Sequence, residues 1–265
     1  MIAALQMYDW PEVQSQTDAF WALAVENLTA NHHSPPRTLY RPTDISAPWR
    51  DPKLYLGQTC GLPYVSGLCA NAVVLARADY GVEGARDGSY ASVLICHEDA
   101  DGEALQDFRG GTVAINEYGS QSGCNALADS ILDAWGADTP LFAKSVKSGA
   151  HRASATMVAD GHADVAAIDP VSWALFAQVE PKRRTQLRVF AWTRSVPSLP
   201  FITAQQDAQL RTDLWHALSY AAENGPPTPG TPQSILPASS DDYVPISVIR
   251  QRVKGLRLSP NATPL

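Results

Sequence analysis

Three segments in the middle of the sequence put small polar or ionisable residues where a strand gives way to a helix. They are Glu117-Tyr118-Gly119-Ser120-Gln121-Ser122-Gly123, Ser148-Gly149-Ala150-His151 and Ile168-Asp169-Pro170. The first turn of a helix leaves backbone N–H groups without partners, and the helix dipole favours negative charge there. Hydroxyls and amides of Ser120, Gln121 and Ser122 at such a turn suit an oxyanion. The same serines serve as N-caps, and on one junction alone capping is the simpler reading. Three junctions in succession favour a site, because ligands of open α/β sheets bind beyond the carboxyl ends of strands. A second chemistry competes. Cys124 falls in the first turn after Ser122, where a thiolate is stabilised, and a nearby His151 would make a Cys–His nucleophile. A small buried cysteine is the commoner outcome. No G-x-S-x-G, H-E-x-x-H or P-loop pattern points to hydrolysis, metal chemistry or nucleotide use, and no cofactor is expected.

The elements that must position these residues alternate β-rich runs with helical ones, which predicts an α/β protein. Strands are expected at 2–7, 54–59, 72–79, 89–98, 111–117, 145–149, 163–169 and 187–193. Helices are expected at 17–31, 122–135, 151–160, from Pro170 onward, and at 204–224. In the first, Trp21, Ala24, Val25 and Leu28 fall at i, i+3, i+4 and i+7; the last carries a Leu210, Leu214, Leu218, Ala221 stripe. A Pro/Ser/Gly-rich coil follows to about Asp241, then an amphipathic segment at 246–256 and a frayed end at 259–265.

The 265 residues suffice for one large domain or two small lobes. With 45% hydrophobic and 18% charged residues the chain is globular. Its net charge of −7, with Lys182-Arg183-Arg184 as the densest basic run, argues against nucleic acid. No apolar stretch is long enough to span a bilayer. The N-terminus lacks the pattern of an export signal, so the chain is expected to be cytoplasmic if complete and periplasmic if a signal was removed. Four cysteines without a C-x-x-C pair support neither a disulfide scaffold nor structural zinc; a Cys60–Cys69 bridge stays open.

Taken in order, Ser120-Gln121-Ser122-Gly123 after the 111–117 strand, Ser148-Gly149-Ala150-His151, and Asp164-Val165-Ala166-Ala167-Ile168-Asp169 resemble the phosphonate/phosphite-type solute-binding proteins of ABC importers. The resemblance implies a two-lobed type II periplasmic-binding fold, each lobe a central sheet flanked by helices, with a ligand cleft between lobes joined by hinge strands. Lobe one would take residues 1–79 completed by 194–265, and lobe two residues 80–193. The implied function is capture of a small anionic molecule such as phosphonate, phosphate or phosphite. The protein would work with an ABC permease, as a monomer or weak dimer and not as an enzyme. A cytoplasmic sensor of the same fold is the alternative.

The resemblance also implies roles. Ser120, Gln121 and Ser122 hold the oxyanion, and His151 donates a hydrogen bond, or a charge if the anion raises its pKa. Asp169 accepts a proton from the ligand. The competing readings are a surface residue in a first helical turn for His151 and an N-cap before Pro170 for Asp169. From the first lobe, Tyr8, Asp9 and Trp10 after the first strand, with Gln58, Thr59 and Tyr64 after the second, would face the cleft. Core or hinge packing is the competing reading for Trp10 and Tyr64. The Tyr-Asp-Trp-Pro run departs from the family's polar opening and suits a larger ligand with one anionic group.

Overall fold

A computed structural model describes residues 1–265. Along the chain lie β1 (Ile2–Ala4), α1 (Gln14–Ala30), β2 (Leu54–Gln58), α2 (Gly61–Val65), β3 (Val73–Asp79), β4 (Ala85–Arg86) and β5 (Ser89–Tyr90). There follow β6 (Val93–His97), β7 (Thr112–Ile115), α3 (Ala126–Trp135), β8 (Lys144–Lys147), α4 (His151–Ala159), β9 (Val165–Ile168), α5 (Pro170–Val179) and α6 (Pro181–Arg184). The chain ends with β10 (Leu187–Trp192), β11 (Val196–Pro197), β12 (Phe201–Thr203), α7 (Ala208–Asn224), β13 (Ser234–Pro237) and α8 (Val244–Arg252).

These form two units. The first holds residues 1–89 and 197–244, the second 90–196 and 245–265. The expected division at 79/80 and 193/194 falls ten and three residues early, and the last 21 residues join the second unit instead of the first. Charge and packing explain that correction. Arg252 of α8 pairs with Asp133 at 2.6 Å and also with Asp129, which is only 2% exposed; Arg194 holds the same two carboxylates at 2.9 and 3.1 Å. Nor is the terminus frayed. Leu256, Leu258, Ser259 and Ala262 are buried, and Leu265 exchanges backbone hydrogen bonds with Gly255 and Leu256.

The first unit's sheet has the order β1-β2-β12-β3-β13. β1 and β2 are parallel, and β12 runs against both β2 and β3, so β1, β2 and β3 point the same way. α1 packs on α7, burying Phe20, Trp21, Ala24 and Leu28 on one helix and Leu214, Leu218 and Ala221 on the other. Phe20, not Val25, completes the α1 stripe. β12 lies just before the expected 204–224 helix, where no element was expected, and β13 lies in the expected coil. α7 starts only at Ala208, where Asp207 caps it by accepting from the Leu210 N–H at 2.9 Å.

The second unit's sheet has the order β10-β6-β9-β7-β8. β7, β8 and β9 are mutually parallel, and β6 runs against them. Val165–Ile168 and Val113–Ile115 are buried without alternation, the pattern of strands covered on both faces. The expected 89–98 strand is broken at Ala91 and Ser92, where the Ser92 N–H leaves the ladder for Thr193 Oγ1 at 2.9 Å.

Candidate functional site

Because β9, β7 and β8 are neighbours running the same way, the three polar junctions come out at one edge of the second sheet. The first is not the plain helix start expected at Ser122. Residues Gln121–Asn125 form a wide π-type turn before α3, closed by the Asn125 N–H on the Ser120 carbonyl at 3.0 Å. Ser120 is the N-cap, its Oγ accepting from the Gly123 N–H at 3.1 Å. A serine hydroxyl that accepts in this way keeps its own hydrogen to donate elsewhere, so capping and ligand binding are compatible.

Ser122 Oγ lies 2.8 Å from His151 Nε2 and 3.5 Å from Ser120 Oγ. Asn116, the residue after β7, reaches the same His151 nitrogen through Nδ2 at 3.3 Å. Gly123 makes this closeness possible: a Cβ there would sit 2.0 Å from Asn116 Oδ1 and 2.9 Å from His151 Cε1. Gln121 is fully buried, its carbonyl oxygen accepting from Asn125 Nδ2 at 2.6 Å. Ser148 binds the Ile115 carbonyl at 3.1 Å and Ser154 Oγ at 2.7 Å, which ties the second junction to the first. At the third, Asp169 caps α5 by accepting from the N–H groups of Val171 and Ser172 at 2.9 and 3.1 Å. The Asp169 N–H lies 3.5 Å from His151 Nδ1. Ser122, Asn116 and the Asp169 N–H thus surround the His151 imidazole, with Ser120 beside Ser122.

Burial pushes that imidazole down to about 4, so His151 is neutral near pH 7 without a ligand, and the surface-residue reading does not hold. The Cys–His nucleophile is not formed. Cys124 is fully buried, desolvation pushes its thiol up to about 12, and His151 Nε2 addresses Ser122. All four cysteines are buried thiols.

In the first unit, Tyr8, Gln58 and Tyr80 meet at the carboxyl ends of β1, β2 and β3. Tyr8 packs edge-on against Tyr80 at 5.1 Å, and Gln58 Nε2 donates to the Tyr80 hydroxyl at 2.5 Å. Thr59 is fully buried and donates to the Cys60 carbonyl at 3.2 Å. Trp10 is half-buried and precedes the short 3-10 turn Pro11–Val13. The other two are placed differently. Asp9 is held by Arg41 at 2.5 Å, and Tyr64 packs edge-on to Tyr243 at 5.6 Å against the Trp49, Leu54, Cys69 and Ile202 cluster. Two members of these clusters, Asn116 and Tyr80, are absent from the sequence candidates. Each is the first residue after a strand, a position that parallel pairing would have flagged.

Two α/β units, each gathering polar residues at the carboxyl ends of parallel strands, define the type II periplasmic-binding class. Similar solved structures share it. A binding-protein component of an ABC phosphonate transporter from Pseudomonas aeruginosa matches with a TM-score of 0.72 at 12% identity, over 94% of this chain and 85% of that one. PhnD1 from Prochlorococcus marinus, in complex with methylphosphonate, matches at 0.71 and 17%, over 95% and 97%. The aliphatic sulphonate-binding protein SsuA from Escherichia coli matches at 0.58 and 15%, over 94% and 91%. No curated protein matches in sequence. The model of the ABC-transporter phosphonate periplasmic substrate-binding protein family matches residues 50–243, and the chain belongs to that family. It is a solute-binding protein of the ABC import type. No helix is long and apolar enough to cross a membrane.

Proposed function

We propose that this chain captures a small molecule bearing a tetrahedral oxyanion of the phosphonate, phosphate or phosphite kind, and that the second unit's three junctions hold it. The observation that carries the reading is the Ser120–Asn125 turn, whose hydroxyls and amide ends stand beside His151 and Asp169 at one sheet edge. Gln121 contributes backbone, since its side-chain carbonyl is held by Asn125. In the same proposal Tyr8, Trp10, Gln58 and Thr59 contact the rest of the ligand, while Tyr64 packs in the core and Asp9 is held by Arg41. The chain hands its ligand to an ABC permease outside the cytoplasmic membrane and performs no catalysis. Titration calorimetry with methylphosphonate, phosphate and phosphite tests this. At least one should bind, and Ser120→Ala and Ser122→Ala should each weaken it by about 1–3 kcal/mol. Binding of none of the three, or unchanged affinity in both variants, overturns the reading.

A further inference from the structure

In the first unit, β3 is longer than the strand that covers its outer edge. β13 runs against it from Ser234 opposite Asp79 to Pro237 opposite Ala76, and there it stops. Val73 and Val74 pair with β12 on the inner side, and no strand lies on the outer side of Val73–Leu75. That stretch therefore presents main-chain N–H and C=O groups without a strand partner, a template on which an extended chain can add. Beside it lies a groove of about 590 Å³. Val73, Val74 and Leu75 all line it. Successive side chains of a strand point to opposite faces, so a groove that touches three in a row runs along the edge and not over one face. The opposite wall is α7, which contributes Ala208, Arg211 and Trp215 at i, i+3 and i+7.

The charge in this groove is of one sign. Arg211 is its one ionisable lining residue. It is half-buried, and no carboxylate pairs with it. The acids nearest to it in sequence are engaged elsewhere: Asp207 caps α7 by accepting from the Leu210 N–H, and Asp213 meets His33 at 2.8 Å. A guanidinium set in an apolar groove suits a carboxylate. The groove is also remote from the first unit's polar cluster. It lies at the amino end of β3, whereas Tyr80 follows the carboxyl end, roughly 20 Å away at the rise of a strand.

We propose that this groove binds an extended peptide, which continues the line of β13 as an added strand on Val73–Leu75. The peptide lays apolar side chains against α7 and places a carboxylate on Arg211. Main-chain hydrogen bonds to the edge hold any extended chain, and the α7 wall with Arg211 selects among them. A fatty acid would satisfy the wall and Arg211 but leave the strand edge unpaired. This site is independent of anion capture.

The probe is a phage-displayed library of random heptapeptides with free carboxyl termini, selected on the whole chain. It should return peptides of alternating apolar residues that share one carboxylate. A synthetic copy should slow amide exchange within Val73–Leu75, and converting its carboxylate to the amide should weaken binding about tenfold or more. Arg211→Glu should weaken binding by a similar factor at an unchanged thermal midpoint. The amide comparison uses wild-type protein, so it decides the matter even if that variant unfolds. An empty selection, protection that appears only outside Val73–Leu75, or equal affinity for acid and amide peptides overturns the proposal. Arg211-dependent binding of dodecanoate without any selected peptide also overturns it, and makes the groove a site for apolar acids.

Discussion

At the scale of single residues, Asp169 caps a helix and also stands beside His151, and one substitution separates the two roles. Asparagine is as good an N-cap as aspartate, because its side-chain oxygen accepts the same N–H groups, but it carries no charge. Asp169→Asn should leave the thermal midpoint within about 2 °C of wild type, which corresponds to no more than about 1 kcal/mol. In the same variant, methylphosphonate affinity should fall by about 1–3 kcal/mol. A lowered midpoint with unchanged affinity would make Asp169 a cap alone. His151 yields a prediction about acid. The unfolded imidazole takes up its proton as pH falls through about 6.5, the folded one only near 4. Between those values the unfolded chain binds more protons, so stability present in full above 6.5 declines by about 3 kcal/mol as pH drops to about 4. Urea midpoints at about pH 7 and 4.5 should show this decline in wild type and lose it in His151→Gln; equal declines would assign it to other groups. Asp133 and Glu180, held low by Arg252 and Arg152, lose their contribution only in more acid solution. The junction residues were legible because polar side chains are conspicuous where apolar strands stop. Asp9 was misleading because its partner, Arg41, lies 32 residues away, and a single sequence carries no sign of that pairing.

At the scale of elements, the Gln121–Asn125 turn is where the site is most sensitive to shape. Its wider winding follows from what it must enclose, since Asn116 and His151 occupy the space beside Gly123. Gly123→Ala would drive a methyl into the Asn116 amide, and overpacking of this kind costs about 1–3 kcal/mol. Chemical denaturation should show that loss. Circular dichroism should show the helices intact, and the His151 resonances should shift; an unmoved His151 would mean the turn relaxes elsewhere. The sequence showed that a helix follows this strand, because Leu127 and Ile131 mark its buried face. It could not show that the regular helix begins only at Ala126. The first turn is all small or polar, and a π turn has no hydrophobic period of its own. β12 and β13 escaped for a related reason. They are three and four residues long, too short for alternation to register, and pairing with β3 defines both.

At the scale of the whole molecule, alternation of apolar strands and amphipathic helices was enough to read an α/β protein, since strands and helices differ in period; the two-unit plan was implied only by the resemblance that the ordered junction motifs carry. The path of the C-terminus was not legible. Arg252 has no distinguishing neighbour in the sequence, and its carboxylate partners lie 123 and 119 residues earlier. Asp129 and Asp133, one turn apart on α3, receive Arg194 just before the chain leaves the second unit and Arg252 just after it returns. A chain ending at Gly255 would keep those ion pairs but lose buried Leu256, Leu258 and Ala262, and with them the Ser259–Ser145 contact to β8 at 3.0 Å. Burying two leucines contributes about 3–6 kcal/mol, so the truncation should lower stability by a comparable amount. The loss should be local. Amide exchange should quicken in β8 and α3, which the segment touches directly or through its anchored helix, while α1 and α7 of the first unit keep their protection. Uniform loss of protection across both units, or none, would show that the terminus does not belong energetically to the unit it packs on. Faster exchange confined to the second unit would tie the last ten residues to the sheet that carries the anion-binding turn.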